Sequence, residues 1–253
     1  MEKLLNSHNF VLLIQGPLHY RLLESIPNYI QYSDVVISTC TPVTDIENQL
    51  LDKIKELTSL PLANKLSVVY QPNIEYMWFN GQNIYKQTIS TLYGLQLCHK
   101  EFTIKLRTDE FFENLNPFIA ALNKDKIICS DFFYNGLYPM HISDHIIGML
   151  TSDMVRVFNI VKLLCECVPK NLNHEDRVDG MFFGLDFTPV VESIIFSAYI
   201  KTKQLIPHKV HSETYRKLYS ESIPSSRLGR YIAIANCENK KYTNEYPNGT
   251  PLS

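Results

Sequence analysis

Arg107-Thr-Asp-Glu110 sets one guanidinium and two carboxylates within four residues, directly after an alternating apolar run. In Phe102-Thr-Ile-Lys-Leu-Arg107 the side chains of Phe102, Ile104 and Leu106 fall on one face of a strand, and those of Thr103, Lys105 and Arg107 on the other. The pattern predicts a strand that delivers its charges where a loop begins. Ligands of open α/β sheets sit outside the carboxyl ends of the strands. Two acids at such an end suit a divalent metal, Mn or Mg, with its phosphates, and the guanidinium suits a phosphate or carboxylate directly. From this segment alone, a strand end dressed in solvated charge has an equal claim.

Other residues can do chemistry at a distance along the chain. Asp144 lies in Tyr138-Pro-Met-His-Ile-Ser-Asp-His145 and leads into the apolar Ile-Ile-Gly-Met149. That arrangement is either a helix N-cap or a carboxylate that orients an acceptor or serves as base. Glu192 interrupts the apolar helical stretch Val190-Val-Glu-Ser-Ile-Ile-Phe196. Such an acid points at solvent or sits in a pocket with a raised pKa, which suits a catalytic base. His208 and His211 could complete a metal site with Asp109 and Glu110, although exposed loop histidines are commoner. The segment Asn173-His-Glu-Asp-Arg177 reads most simply as a solvated charged loop.

Alternating strands and helices must position these groups. Buried strands are expected at 10–15, 34–39, 66–70, 102–107 and 126–130. Helices are expected at 20–32 (interrupted at Pro27), 44–57, 83–98, 116–122, 152–168 and 188–203. The helix after Asn83 carries its apolar face on Ile84, Thr88, Leu92 and Leu95, widened by Ile89 and Leu97. Strand–helix alternation of this kind calls for a parallel sheet. No internal repeat or linker divides the chain, so residues 1–236 are expected to form one domain. Its 1–135 half would hold a nucleotide sugar and its 136–236 half the acceptor and catalytic groups. Residues 237–253 read as a polar tail.

Composition bounds the reading. The 253 residues suffice for a proper core, and 45% hydrophobic with 20% charged residues is ordinary for a globular protein. A formal net charge of -2 argues against a chain built around nucleic acid. The 15 Tyr and 13 Phe suit flat ligands as well as a core. The six cysteines lack zinc-site spacing, so buried free thiols in a reducing, cytoplasmic compartment are expected. No secretory signal opens the chain and no apolar run approaches a membrane span. The abundance of Asn, Lys, Ile and Tyr fits an AT-rich genome, bacterial or viral.

Absent motifs narrow the chemistry. The chain has no Gly-x4-Gly-Lys-Ser/Thr loop, no Gly-x-Gly-x-x-Gly fingerprint, no His-Glu-x-x-His and no Gly-x-Ser-x-Gly elbow. Nucleotide-sugar chemistry needs none of these. It needs neutralisation of a diphosphate leaving group, a base for an acceptor hydroxyl, and a slot for the nucleobase. Lys105 and Arg107 could share the phosphate work even without metal.

Ile14-Gln-Gly-Pro17, Asn83-Ile-Tyr-Lys-Gln-Thr-Ile-Ser-Thr-Leu-Tyr-Gly-Leu95, Lys105-Leu-Arg-Thr-Asp-Glu110 and His141-Ile-Ser-Asp144 occur in the order found in the WavE family of lipopolysaccharide-core synthesis proteins, which the chain resembles over roughly residues 10 to 200. It departs from the family's pattern at Tyr85-Lys86 and at His145. The resemblance implies a GT-A-like (Rossmann-like) α/β fold, with a mostly parallel central sheet flanked by helices and a helical C-terminal acceptor-side region. It implies a glycosyltransferase, dependent on a nucleotide-sugar donor and metal-assisted, acting on a glycan or lipid-linked saccharide. The membrane's inner face would be the place to meet a lipid-linked acceptor. Gln15, Gly16, Pro17, Asn83, Gln87, Lys105, Arg107 and Asp109 would line the donor. Ser143 and His145 would face the acceptor, Asp144 and Glu192 compete as base, and Asp109, Glu110 and His208 would hold the metal. Two other readings stay open: nucleotidyl transfer to a sugar phosphate, and an inactive carbohydrate-binding subunit of the same fold.

Overall fold

A computed structural model describes residues 9–59, 64–74, 83–130, 132–135, 138–167, 191–203 and 232–234. Thr188–Val190, the expected start of the last helix, and His208 lie outside this set. Three strands open the chain: β1 (Phe10–Gln15), β2 (Val35–Cys40) and β3 (Leu66–Gln71). They alternate with helices α1 (Leu22–Tyr29), α2 (Asp45–Thr58) and α3 (Ile84–Leu95). Then come β4 (Phe102–Arg107), α4 (Asn116–Ala121), β5 (Ile127–Cys129), β6 (Phe132–Asn135), β7 (Tyr138–Ile142) and β8 (Ile146–Leu150). The described chain finishes with α5 (Thr151–Cys167), α6 (Val191–Thr202) and β9 (Ile232–Ile234).

Among the described residues the central sheet has seven strands in the order β3-β2-β1-β4-β8-β5-β9. Only β8 runs against its neighbours; β1, β2, β3 and β4 pair in parallel, as do β5 and β9. The class is the expected one, a mostly parallel sheet flanked by helices. β1 is apolar at consecutive positions and buried along its length, because helices cover both of its faces. One core unites Val11, Leu13 and Ile147 of the sheet with α3, α5 and α6. The other unites Leu12, Ile14, Ile104 and Leu106 with α1, α2 and α4.

Residues 138–142 and 146–150 are strands, which decides one of the two readings left open for Asp144. The carboxylate of Asp144 caps no helix. It stands in the connection between β7, half of an antiparallel pair with β6, and the reversed strand β8. Period-2 alternation is muted in β8 because both of its faces are covered, so Ile-Ile-Gly-Met-Leu reads alike as helix or strand.

Three local devices hold this frame. Thr44 and Glu47 form a capping box at the start of α2, with each side chain accepting from the other's backbone N–H. At the end of α1, Asn28 Nδ2 donates to the carbonyls of Phe112 and Glu113, each at 3.2 Å, and the Tyr29 hydroxyl accepts from the Phe112 N–H at 2.8 Å. These bonds fix the loop that follows β4. Gly94 brings α3 close to the sheet: a Cβ there would run into Leu13 and lie 2.9 Å from Ser38 Cβ. Ser38 Oγ donates to the Ser90 carbonyl at 2.6 Å, and Ser90 Oγ returns a bond to the Ser38 carbonyl at 3.0 Å.

Candidate functional site

The chain runs from β1 outward through β2 and β3, then crosses to β4 on the other side of β1. The carboxyl ends of β1 and β4 therefore flank a topological switch point, where loops diverge and leave a crevice for ligands. Gln15 and Arg107 are register partners at that point. The next residues interlock: the Thr108 N–H donates to the Gln15 carbonyl at 3.2 Å, and the Gly16 N–H to the Ser38 carbonyl at 3.2 Å. Gly16 has φ +143°, and a Cβ there would lie 2.5 Å from Thr108 Oγ1. Only glycine fits that turn without strain. Pro17 follows it, exposed.

Because β8 is reversed, its first residues arrive at the same edge as the end of β4. Asp144 and His145 thus join Arg107, Asp109 and Glu110, about 35 positions earlier in sequence. Asp144 is buried; its Oδ2 accepts from Gln87 Nε2 at 2.8 Å, and its Oδ1 lies 3.7 Å from Arg107 Nη1. Burial alone would raise its pKa. The charges of Lys105, Arg107 and His145, together with the Gln87 bond, bring it below the usual value instead.

Arg107 also grips Asp109 in a two-toothed pair, Nε to Oδ1 at 3.0 Å and Nη2 to Oδ2 at 2.8 Å. Burial would raise Asp109 too, and the Arg107 bonds and charge hold it low. The same bonds push the guanidinium up against the effect of burial, so it stays charged. Arg107 and Asp109 keep 33% and 42% of their side-chain surfaces exposed, so this ion pair faces outward.

Lys105, expected among the donor-lining residues, is placed differently. It is wholly buried, and its ammonium donates to the Asp144 carbonyl at 3.2 Å. Burial pulls its pKa down to about 8, and Asp144 is the largest opposing charge.

Glu110 Oε1 contacts His145 Nδ1, while Glu110 Oε2 is buried with no hydrogen-bond partner among the described residues. Ser143 is buried and accepts from Ser130 Oγ at 2.9 Å. Asn83 sits exposed at the start of α3 and makes no capping bond with its side chain. Glu192 lies on α6, but its side chain is outside what the structure describes. Tyr85, one of the departures from the WavE pattern, ties α3 to α5 through a 3.0 Å bond to Glu166 Oε1.

Sequence reasoning passed over three residues of this edge. Thr108 packs on Gly16, and Ser130 bonds Ser143. His19 feels the charge of Asp109, although burial, its largest influence, lowers its pKa. The only advance signal for Thr108 is its place between Arg107 and Asp109. Ser130 and His19 carry none, because their neighbours are distant in sequence.

The expected metal finds no ready-made centre. Among the described residues no three His, Cys, Asp or Glu side chains converge in a ligating group. Both Asp109 oxygens are taken by Arg107, and Glu110 is engaged with His145. The described residues therefore do not fit a divalent ion as they stand. No helix among them is long and apolar enough to cross a membrane. Of the six cysteines, Cys98, Cys129 and Cys165 are buried thiols outside any disulfide, and burial pushes Cys98 and Cys165 up to about 12.

No protein-family profile matches the chain, and no curated protein matches it. Its likeness to the WavE family thus rests on the motifs alone. Among solved structures, the chain is similar to the mannosyltransferase PcManGT from Pyrobaculum calidifontis, in complex with GDP-Man and Mn2+, at 10% identity and a TM-score of 0.43. That match covers 66% of this chain and 49% of the other, so the chain spans about half the length of that protein. It is similar also to HddC from Yersinia pseudotuberculosis, alone and complexed with GMP-PN, at 10% identity and a TM-score of 0.38. Those matches cover 58% of this chain and 79% of HddC.

Proposed function

We propose that the chain is a glycosyltransferase that moves a sugar from a nucleoside-diphosphate donor to a glycan or lipid-linked saccharide acceptor. One observation carries the reading: a partly exposed guanidinium, Arg107, stands at the switch point beside the Gly16 turn, held in place by two carboxylates. A diphosphate arriving there meets a fixed cation, and charge developing on the leaving group is met without reorganisation. Asp109 orients Arg107, and Gln15, Gly16 and Pro17 border the nucleotide. Gln87 and the buried Lys105 keep Asp144 in place as a second anchor for Arg107. Ser143 and His145 lie on the side where the acceptor would enter. A divalent ion would have to draw Asp109 from Arg107, so no step is assigned to it.

Thermal shift against UDP, GDP and nucleoside triphosphates, each with Mn and with chelator, tests the reading. Stabilisation by a nucleoside diphosphate is expected. Response only to triphosphates would favour nucleotidyl transfer, and response to none an inactive carbohydrate-binding subunit. Diphosphate stabilisation that chelator abolishes would restore a metal to the site. A charge-assisted bond of about 1.5–3 kcal/mol makes Arg107→Met weaken diphosphate binding about ten- to hundredfold. Asp109→Asn should abolish transfer with the fold intact, and full activity in that variant would sink the site assignment.

A further inference from the structure

A diphosphate at the switch point needs more hydrogen-bond donors than Arg107 leaves. A guanidinium has five N–H groups, and two of them are spent on Asp109. The backbone beside it is committed as well: the Gly16 N–H is given to the Ser38 carbonyl and the Thr108 N–H to the Gln15 carbonyl. The Lys105 ammonium is buried on the Asp144 carbonyl. The turn that leaves β1 supplies another group. Gly16 packs on Thr108, the residue between Arg107 and Asp109, and His19 follows three positions later. It stands near enough for the charge of Asp109 to act on its ring.

The imidazole is held, and its donor is fixed. The His19 carbonyl accepts from the Leu22 N–H at 3.0 Å, which folds residues 19–22 into a turn at the head of α1. The Arg21 N–H donates to His19 Nδ1 at 3.4 Å, so Nδ1 keeps its lone pair and the proton sits on Nε2. The Tyr20 ring lies against the imidazole, with centroids 4.4 Å apart. His19 is half-buried, and nothing among the described residues accepts from its Nε2. Nε2 carries its hydrogen in the neutral and the charged ring alike, so the donor does not depend on the ring's titration. Resting on the glycosyltransferase reading, we propose that His19 binds the donor's diphosphate, its Nε2–H donating to a phosphoryl oxygen beside Arg107. The two groups come from adjacent strands, Arg107 at the end of β4 and His19 on the turn after β1, so the diphosphate is held where the loops diverge.

The test titrates the full chain with UDP, GDP and inorganic pyrophosphate by calorimetry. His19→Phe keeps a ring against Tyr20 and loses the donor. It should weaken pyrophosphate and the nucleoside diphosphate alike, by about tenfold or more, for the loss of a bond to a charged group. His19→Gln puts an amide N–H near the place of Nε2 and should recover most of that affinity, which a merely structural role of the ring would not allow. His19→Ala stands in if His19→Phe does not fold. Unchanged affinity in His19→Phe, a loss confined to the nucleoside diphosphates, or a His19→Gln no better than His19→Phe would overturn the assignment. A wild-type chain that takes pyrophosphate but no nucleoside diphosphate would remove the glycosyltransferase reading, while the variants still test the phosphate contact on pyrophosphate. A chain that binds neither overturns both.

Discussion

Lys105 is the most deeply buried charge among the described residues. An isolated ammonium at zero exposure would be expelled or neutralised, and it persists here because Asp144 lies over it. The two side chains form no ion pair, yet each feels the other's charge in the interior, and leaving one buried charge uncompensated costs about 3–5 kcal/mol, whereas removing both costs less. Lys105→Met should therefore destabilise strongly in urea unfolding, and Lys105→Met with Asp144→Asn should recover part of the loss. Additive losses would show that the two charges do not depend on each other. Lys105 was legible in the sequence as a charge on the right face of a strand. Its depth was not, because depth depends on Asp144, far along the chain, being brought to it.

At the scale of elements, the approach of α3 to the sheet decides whether Gln87 reaches Asp144. Apolar spacing assigned the helix correctly, yet the residues it buries include Ser90, Thr91 and Gly94, while Leu97 is 40% exposed. Small side chains, not large apolar ones, let the helix come near. Gly94→Ala would push α3 outward against Leu13 and Ser38, costing about 1–3 kcal/mol by overpacking. The same variant should weaken diphosphate binding through the displaced Gln87, measured by thermal shift; unchanged stability would show that the helix can slide. The loop after β4 depends likewise on α1, through Asn28 and Tyr29. Neither tie has a local sequence signature.

For the whole molecule, the cluster joins α3, β4 and the β7–β8 connection by charge. Asp144 has its folded pKa below that of the unfolded chain, near ~4 for an aspartate. Its contribution is therefore fully present above that range and is lost as pH falls through the folded value, because the unfolded chain binds the proton first. The Tm of the wild type should fall more steeply on acidification below pH ~4 than that of Asp144→Asn. Matching acid limbs would place the carboxylate outside the stability of the fold.

The sequence by itself determined the α/β class, because continuous apolar runs such as Phe10–Gln15 and amphipathic stretches such as 44–57 are local patterns with their own periods. It determined also that Arg107, Asp109 and Glu110 would be delivered together at a strand end, since they fall within four residues. Only the tertiary structure decided that β8 runs backwards, and that reversal brings Asp144 and His145 to the end of β4. Only it decided which charge is buried and which faces outward. Strand order and burial depend on contacts between residues far apart in the chain, which no window of sequence contains.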